Sequence, residues 1–256
     1  MRSQKKFTAL IAVAAMMAAT SSASASVNFT TLQLNGGAIA TTNDLNLGNG
    51  NGWEVMSAFF VNPISSTSNF SGSFDFTLNN SGFYPQADGI SFLIQNDLAG
   101  KAAVGGLGGD IGAAGIQNAV GIGFQSWTNN HATIFTTASG PYGGTQSTGN
   151  FNLGDQNDSV SVSFVYSAAT GVLSYTASNS STAQSISDSY AADLAGLGPS
   201  VYIGFTGGSG GSYAHQDVTN FNFAAPELST WVMMALGFAG LGFAGFRARR
   251  SAISIA

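Results

Sequence analysis

The chain has 256 residues, no cysteine and a formal net charge of -5. Six of its seven basic residues lie near the two ends, so Lys101 is the only cation between residues 26 and 225. Nucleic acids and anionic lipid surfaces require clustered Lys and Arg, and the composition therefore excludes both as partners of this region. Residues 26–225 are long enough for one domain with a sizeable core.

The N-terminus carries the three parts of a secretory signal. Basic residues at positions 2, 5 and 6 precede an apolar run from Phe7 to Ala19, and Ala23-Ser24-Ala25 forms a small-residue cleavage site. We predict a signal peptide over residues 1–25 that signal peptidase removes, leaving a mature chain that starts near Ser26. A retained anchor is the alternative, although the apolar run is shorter than the roughly 20 residues that a membrane helix needs.

Between these ends, short runs of alternating apolar and polar residues are separated by clusters of Gly, Asn, Asp and Ser. The pattern predicts an all-β sandwich or barrel. A hairpin is expected over residues 159–178 with its turn at 168–171, a helical turn over 191–197, and a long glycine-rich loop over 104–115. A disordered matrix protein is the alternative for a chain so rich in Ser and Asn, but regularly spaced aromatics favour a packed core. The runs are VNFTTLQL, WEVMSAFFV, FSGSFDFTL, ISFLIQ, AVGIGFQSW, ATIFTT, SVSVSFVYS, GVLSYTAS, VYIGF and VTNFNF.

The C-terminal segment has an ordered tripartite pattern. Pro226 and Glu227 precede an apolar run from Trp231 to Phe246, which Arg247, Arg249 and Arg250 close. We predict a membrane helix over about residues 229–246, with the arginines retained in the cytoplasm. A buried core helix is the alternative, but such a helix would show a polar face.

Residues 226–256 resemble the PEP-CTERM sorting signal of diderm bacteria, with Leu228 in place of the second proline of that motif. The resemblance implies recognition by an exosortase-type membrane protease in an envelope that makes exopolysaccharide. It further implies export across the inner membrane, a transient membrane anchor, and a final place in the cell envelope or outside the cell.

The body resembles the L-type lectins in several segments and in the order of that family. These segments are FDFTLNNSGFYPQADGISFLIQND, GGDIGAAGIQNAVGIGFQSWTNN, SVSVSFVYSAATGVLSYTAS and VYIGFTGGSGGSYAHQDVTNFNF. The resemblance implies a concanavalin A-like (jelly-roll) β-sandwich over residues 26–225 with a carbohydrate-binding function.

The same resemblance implies the site residues. Asp88, preceded by a cis peptide bond from Ala87, would accept hydrogen bonds from sugar hydroxyls, as a carboxylate does well. Gly109 would donate its backbone N–H, and Asn129 would contact both sugar and calcium. Gly211 and Ser212 lie in the loop that sets which sugar fits.

In this chain, the strand that matches the metal-binding strand of that family departs from the family's pattern. Its two acidic positions are occupied by Gly123 and Gln125, which leaves Asn129 and His131 as remnant metal ligands. Because hard cations need several oxygen ligands including carboxylates, we predict weak or absent calcium binding.

Three functional hypotheses remain at this level. The first is a glycan-binding protein, and the second is a non-binding structural matrix or envelope protein with a decayed metal and sugar site. The third is a glycoside hydrolase, which generally needs two opposed carboxylates. The chain has only two glutamates, Glu54 and Glu227, and we predict that it has no catalytic residues and is not an enzyme.

Overall fold

The computed structural model describes residues 24–79, 86–127, 130–137, 145–146, 151–153 and 158–225. The predicted sorting segment, Asn129 and nearly all of the predicted signal peptide lie outside these residues. Among the described residues, no helix has the length and hydrophobicity of a membrane span.

Almost all regular structure in the described ranges is β-strand. The strands are β1 Ala25–Ser26, β2 Leu32–Asn35, β3 Ile39–Ala40, β4 Asp44–Asn49, β5 Val55–Phe60, β6 Ile64–Ser65, β7 Phe70–Asn79, β8 Gly89–Gln95, β9 Ala119–Gln125, β10 His131–Thr136, β11 Thr145–Gln146, β12 Ser159–Ser167, β13 Val172–Asn179, β14 Gln184–Ala191, β15 Ser200–Gly208 and β16 His215–Ala224. One α-helical turn, α1, spans Leu194–Leu197, and 3-10 turns span Phe29–Thr31, Gly100–Ala102 and Gly108–Asp110.

These strands form two sheets with antiparallel pairing throughout. The first sheet has the order β14-β13-β12-β7-β16-β4-β3, with β1 paired to β16. The second has the order β11-β10-β9-β8-β15-β5-β2, with β6 paired to β15. Neighbours such as β7 and β16 are far apart in sequence, so most of the pairing depends on long-range contacts rather than on hairpins.

An aromatic core joins the two sheets. Phe74 of β7 and Phe164 of β12 face Phe92 of β8 and Phe205 of β15, and all four side chains are fully buried. The rings of Phe92 and Phe164 lie 4.2 Å apart between centroids, and those of Phe74 and Phe205 lie 5.0 Å apart in an edge-on arrangement. The alternating pattern of the strands thus produces two inward faces that interdigitate, as in other β-sandwiches.

A second, smaller apolar cluster lies on the opposite face of the second sheet. It contains Phe59, Leu93, Ile111 and Phe135, and it packs the glycine-rich segment 104–115 against the sheet. This explains why β8 and β9 are buried along their whole length, on both faces.

The all-β prediction is confirmed, with local corrections. The hairpin of β12 and β13 and the helical turn α1 occur where they are expected. The run VNFTTLQL is not a continuous strand, because Asn28 caps a 3-10 turn before β2 begins. The sequence pattern also does not predict β4 or β14, which carry few large apolar residues.

Candidate functional site

Asp88 lies directly before β8, at one end of the second sheet. The peptide bond between Ala87 and Asp88 is cis, as the family resemblance implies. The backbone N–H of Asp88 donates to Gly208 O at 3.1 Å, and its carbonyl accepts from the N–H of Ser126 at 2.9 Å. Strands on both sides therefore fix the backbone of Asp88.

A glycine at position 89 is required for this arrangement. Gly89 has a φ of 148°, and a Cβ built on it would overlap the carbonyl oxygen of Phe124. Any side chain there would collide with the backbone of β9, and the pairing that presents Asp88 would be lost. The Asp-Gly pair is thus explained by close packing of two strands.

The carboxylate of Asp88 faces a cradle made of glycine backbone. A methyl group on Gly210 would lie 3.3 Å from Asp88 Oδ2, and one on Gly108 would lie 3.9 Å from the same oxygen. The backbone N–H of Gly210 lowers the pKa of this carboxylate. Because both walls lack side chains, neither Gly108 nor Gly210 blocks the approach to the carboxylate of Asp88, a residue that is only 6% exposed.

Burial controls the electrostatics of this carboxylate. Desolvation raises the pKa of Asp88 above its ordinary value, and the hydrogen bond from the Gly210 N–H offsets part of that increase. The ionised carboxylate therefore has hydrogen-bonding capacity that its own surroundings satisfy only in part, which favours a ligand that brings hydroxyl donors.

Backbone hydrogen bonds hold the loops of the cradle together. Gly108 N–H donates to Ser209 O at 3.1 Å, which joins the glycine-rich segment to the β15–β16 loop. Ser209 N–H donates to Glu54 O at 2.9 Å, which joins that loop to the segment before β5. Three segments that are distant in sequence thus converge around Asp88.

The structure brings the segments that carry Asp88, Gly109, Gly211 and Ser212 together at this cradle, and their contacts with a sugar stay predictions. Gly108 and Gly210, the neighbours of the predicted Gly109 and Gly211, are the glycines directly against the carboxylate. Gly211 and Ser212 belong to the same β15–β16 loop. Asn129 lies outside the described residues, and its role stays a prediction.

The space at the first acidic position of the metal strand is filled by apolar groups. A methyl on Gly123 would lie 3.0 Å from Phe135 Cε1 and 3.2 Å from Ile111 Cδ1. These two side chains belong to the smaller apolar cluster, so a glutamate at position 123 would require that cluster to move.

The second acidic position carries a hydrogen-bond donor. Gln125 is 1% exposed, and its Nε2 donates to the carbonyl oxygen of Gly109 at 2.5 Å. His131 is the β10 residue paired opposite it. No group of three or more His, Cys, Asp or Glu side chains converges among the described residues. This donor set does not fit a hard cation such as calcium, and Gln125 contacts the glycine-rich segment directly.

Trp53 lies in a loop, and its prediction as a strand residue is wrong. The run WEVMSAFFV predicts it at the start of a strand, but β5 begins at Val55 and Trp53 lies in the preceding loop, 70% exposed. The available signal was the turn-forming segment NGNG directly before it, which favours a loop that continues to Trp53.

Comparison with known proteins defines the class of fold. No family model matches the chain, and no curated protein matches its sequence. Among solved structures, the basic winged bean lectin with Tn-antigen has a TM-score of 0.69 at 20% identity, covering 81% of this chain and 100% of the lectin. The Bauhinia forficata lectin in complex with GalNAc has a TM-score of 0.68 at 19% identity, covering 82% and 100%. Lectin UEA-II complexed with galactose has a TM-score of 0.65 at 16% identity, covering 80% and 99%.

These similarities establish the concanavalin A-like fold of the legume lectins for this chain. At such identities they establish the fold alone.

Proposed function

We propose that this protein is a non-enzymatic glycan-binding protein that recognises sugar hydroxyls through Asp88. The observation that carries the proposal is the cradle: the carboxylate of the buried Asp88 lies between Gly108 and Gly210, which have no side chains to block its approach. Carboxylates accept hydrogen bonds from two adjacent hydroxyls at once, which is the pattern a pyranose offers. The solved structures of the same fold with galactose and GalNAc support the same class of ligand.

The surface around the cradle supports sugar as the ligand. Leu107 and Trp127 are exposed apolar residues. They adjoin Gly108 and Ser126, which lie against Asp88. Sugar-binding surfaces need such groups, because a pyranose has apolar C–H faces as well as hydroxyls, and aromatic rings pack well against them.

A glycan array with the full-length protein and an Asp88→Asn variant tests the proposal. Asparagine keeps the shape of the side chain but removes its charge and one acceptor, so we expect at least a tenfold loss of affinity. Asp75→Asn is the matched control, because Asp75 lies on the other sheet, where it accepts a hydrogen bond from Asn220. Binding that Asp88→Asn leaves unchanged would refute the site.

The raised pKa of Asp88 adds a pH signature. Protonation removes an acceptor, so affinity should fall as the pH drops through the pKa of this group. Because a raised folded-state pKa means that ionisation costs stability, the Asp88→Asn variant should be at least as stable as the wild type at neutral pH. A binding-site residue that weakens folding is the expected compromise.

A structural matrix or envelope protein is the second candidate. The observation that favours it is the apolar surrounding of Gly123, where Phe135 and Ile111 lie against the position at which L-type lectins carry a metal-binding carboxylate. Failure of the wild-type protein to bind any glycan on a broad array, with or without calcium, would select this function over the first.

For the two ends of the chain we propose export by the N-terminal signal and sorting by an exosortase-type protease. The support is the sequence pattern of residues 1–25 and 226–256. Intact-mass analysis of the protein from an exosortase-containing host tests both steps. We expect a mature chain that begins near Ser26 and ends near Pro226; an unprocessed chain of 256 residues in the cytoplasm would refute the proposal.

A further inference from the structure

Trp53 combines exposure with an unusual backbone conformation. Its side chain is 70% exposed, and its φ is 63°, in the left-handed region that bulky residues rarely adopt. Such conformations persist where the surrounding structure enforces them, and they are concentrated at ligand-binding sites. The exposure of Trp53 and its backbone conformation together indicate a role in ligand binding.

The loop that carries Trp53 is held firmly. Trp53 N–H donates to Gly210 O at 2.9 Å. The carboxylate of Glu54 accepts from Asn49 N–H at 2.9 Å and from Asn51 Nδ2 at 3.2 Å, and Ser209 Oγ donates to Asn51 O at 2.8 Å. These bonds fix the backbone on both sides of the tryptophan, so the indole projects from an ordered turn.

The indole of Trp53 lies beside the loop that forms one wall of the cradle. Trp53 Cζ2 would lie 3.9 Å from a methyl on Gly211, whereas the adjacent Gly210 lies against the carboxylate of Asp88. The indole and the carboxylate thus contact neighbouring residues of one loop. Neither Gly210 nor Gly211 has a side chain to separate them.

We propose that Trp53 is an aromatic platform for a second sugar ring, and that the ligand is an oligosaccharide of at least two pyranoses. This inference rests on the proposed function, since Asp88 holds the first ring. The apolar C–H face of the second ring packs on the indole. A tryptophan on a fixed turn supplies this large contact area with little loss of side-chain entropy.

The test compares affinities of the full-length protein for mono-, di- and trisaccharides on one array. The variants are Trp53→Ala, Trp53→Phe and Asp88→Asn, with Leu98→Ala as a control for an exposed apolar side chain elsewhere. We expect the wild type to bind its best oligosaccharide about five- to tenfold more tightly than the matching monosaccharide. Trp53→Ala should lose this advantage while keeping monosaccharide affinity, and Trp53→Phe should keep part of it.

Tryptophan fluorescence gives an independent reading. Trp53 is more exposed than Trp127, so an oligosaccharide from the array should protect the wild-type emission from acrylamide. The part of that protection that comes from Trp53 should be absent in Trp53→Phe, which keeps an aromatic ring and is expected to fold.

The outcomes separate this inference from the function on which it rests. Loss of all binding in Asp88→Asn with unchanged oligosaccharide binding in Trp53→Ala overturns the platform and keeps the sugar site. Absence of any binding by the wild type overturns both.

Discussion

Gln125→Glu is the substitution that most directly tests how the glycine-rich segment is held. In the wild type, Gln125 Nε2 donates to Gly109 O from a side chain that is 1% exposed. A glutamate of the same size can make this bond only when it is protonated, because an ionised carboxylate has no hydrogen to donate. The introduced carboxyl is therefore expected to have a raised pKa in the folded protein.

The cost follows from the protonation equilibrium. Keeping a carboxyl with an ordinary pKa of about 4.3 protonated at pH 7 requires about 2.7 pH units at about 1.36 kcal/mol each, or about 3.7 kcal/mol. The loss should be nearly absent below about pH 4 and should grow as the pH rises, because the folded state then binds a proton that the unfolded state releases. For a domain of this size, the melting temperature at pH 7 should fall by roughly 7–15 °C.

Urea unfolding of the full-length protein at pH 4, 5.5 and 7 measures this dependence. Gln117→Glu is the matched control, because Gln117 also donates its Nε2 to a glycine carbonyl, that of Gly115 at 3.0 Å, but from an exposed position. The control should lose less than about 1 kcal/mol at every pH, as exposed substitutions usually do.

Two results would refute the reasoning. A loss of stability that is the same at pH 4 and pH 7 would show that shape, and not protonation, matters at position 125. Recovery of the variant at pH 7 on adding calcium would show that oxygen ligands do converge beside the glycine-rich segment.

The metal ligands, two glycines and a half-buried carboxylate provide three further tests of the structure. Calcium or EDTA should leave the wild-type melting temperature within about 1 °C, since the described donor set does not fit this ion; a clear calcium-induced rise would contradict this. Gly89→Ala should prevent folding or cost several kcal/mol of stability in urea unfolding, because its Cβ meets Phe124 O. Gly115→Ala should cost about 1–2 kcal/mol, because Gly115 has a φ of 93° but no atom near its Cβ. Burial and the neighbouring Asp217 raise the pKa of Asp44. Asp44→Asn should therefore raise the melting temperature at neutral pH and lose this advantage in acid. An equal gain at pH 3 would contradict the electrostatic origin.

The strands that sequence patterns miss have a common physical reason. Among the described strands, β14 pairs only with β13 and forms an edge of its sheet. All of its side chains keep some exposure, so its Ser-rich sequence lacks the apolar face that marks a strand. β4 buries Leu45 and Leu47, but its Asn and Gly residues are typical of turns. Both strands form because a neighbouring strand supplies the hydrogen bonds, which is a tertiary effect.

The sequence by itself determined the β-architecture of this protein and indicated Asp88 as a candidate binding residue. The alternation of apolar residues defines which faces are buried, and that information is local. Only the tertiary structure decided that Gly108 and Gly210 form the walls of the cradle, that Trp53 lies beside it, and that Gly123 faces Phe135. These relations depend on which distant loops meet at the end of the second sheet, and residue spacing along the chain does not encode that meeting.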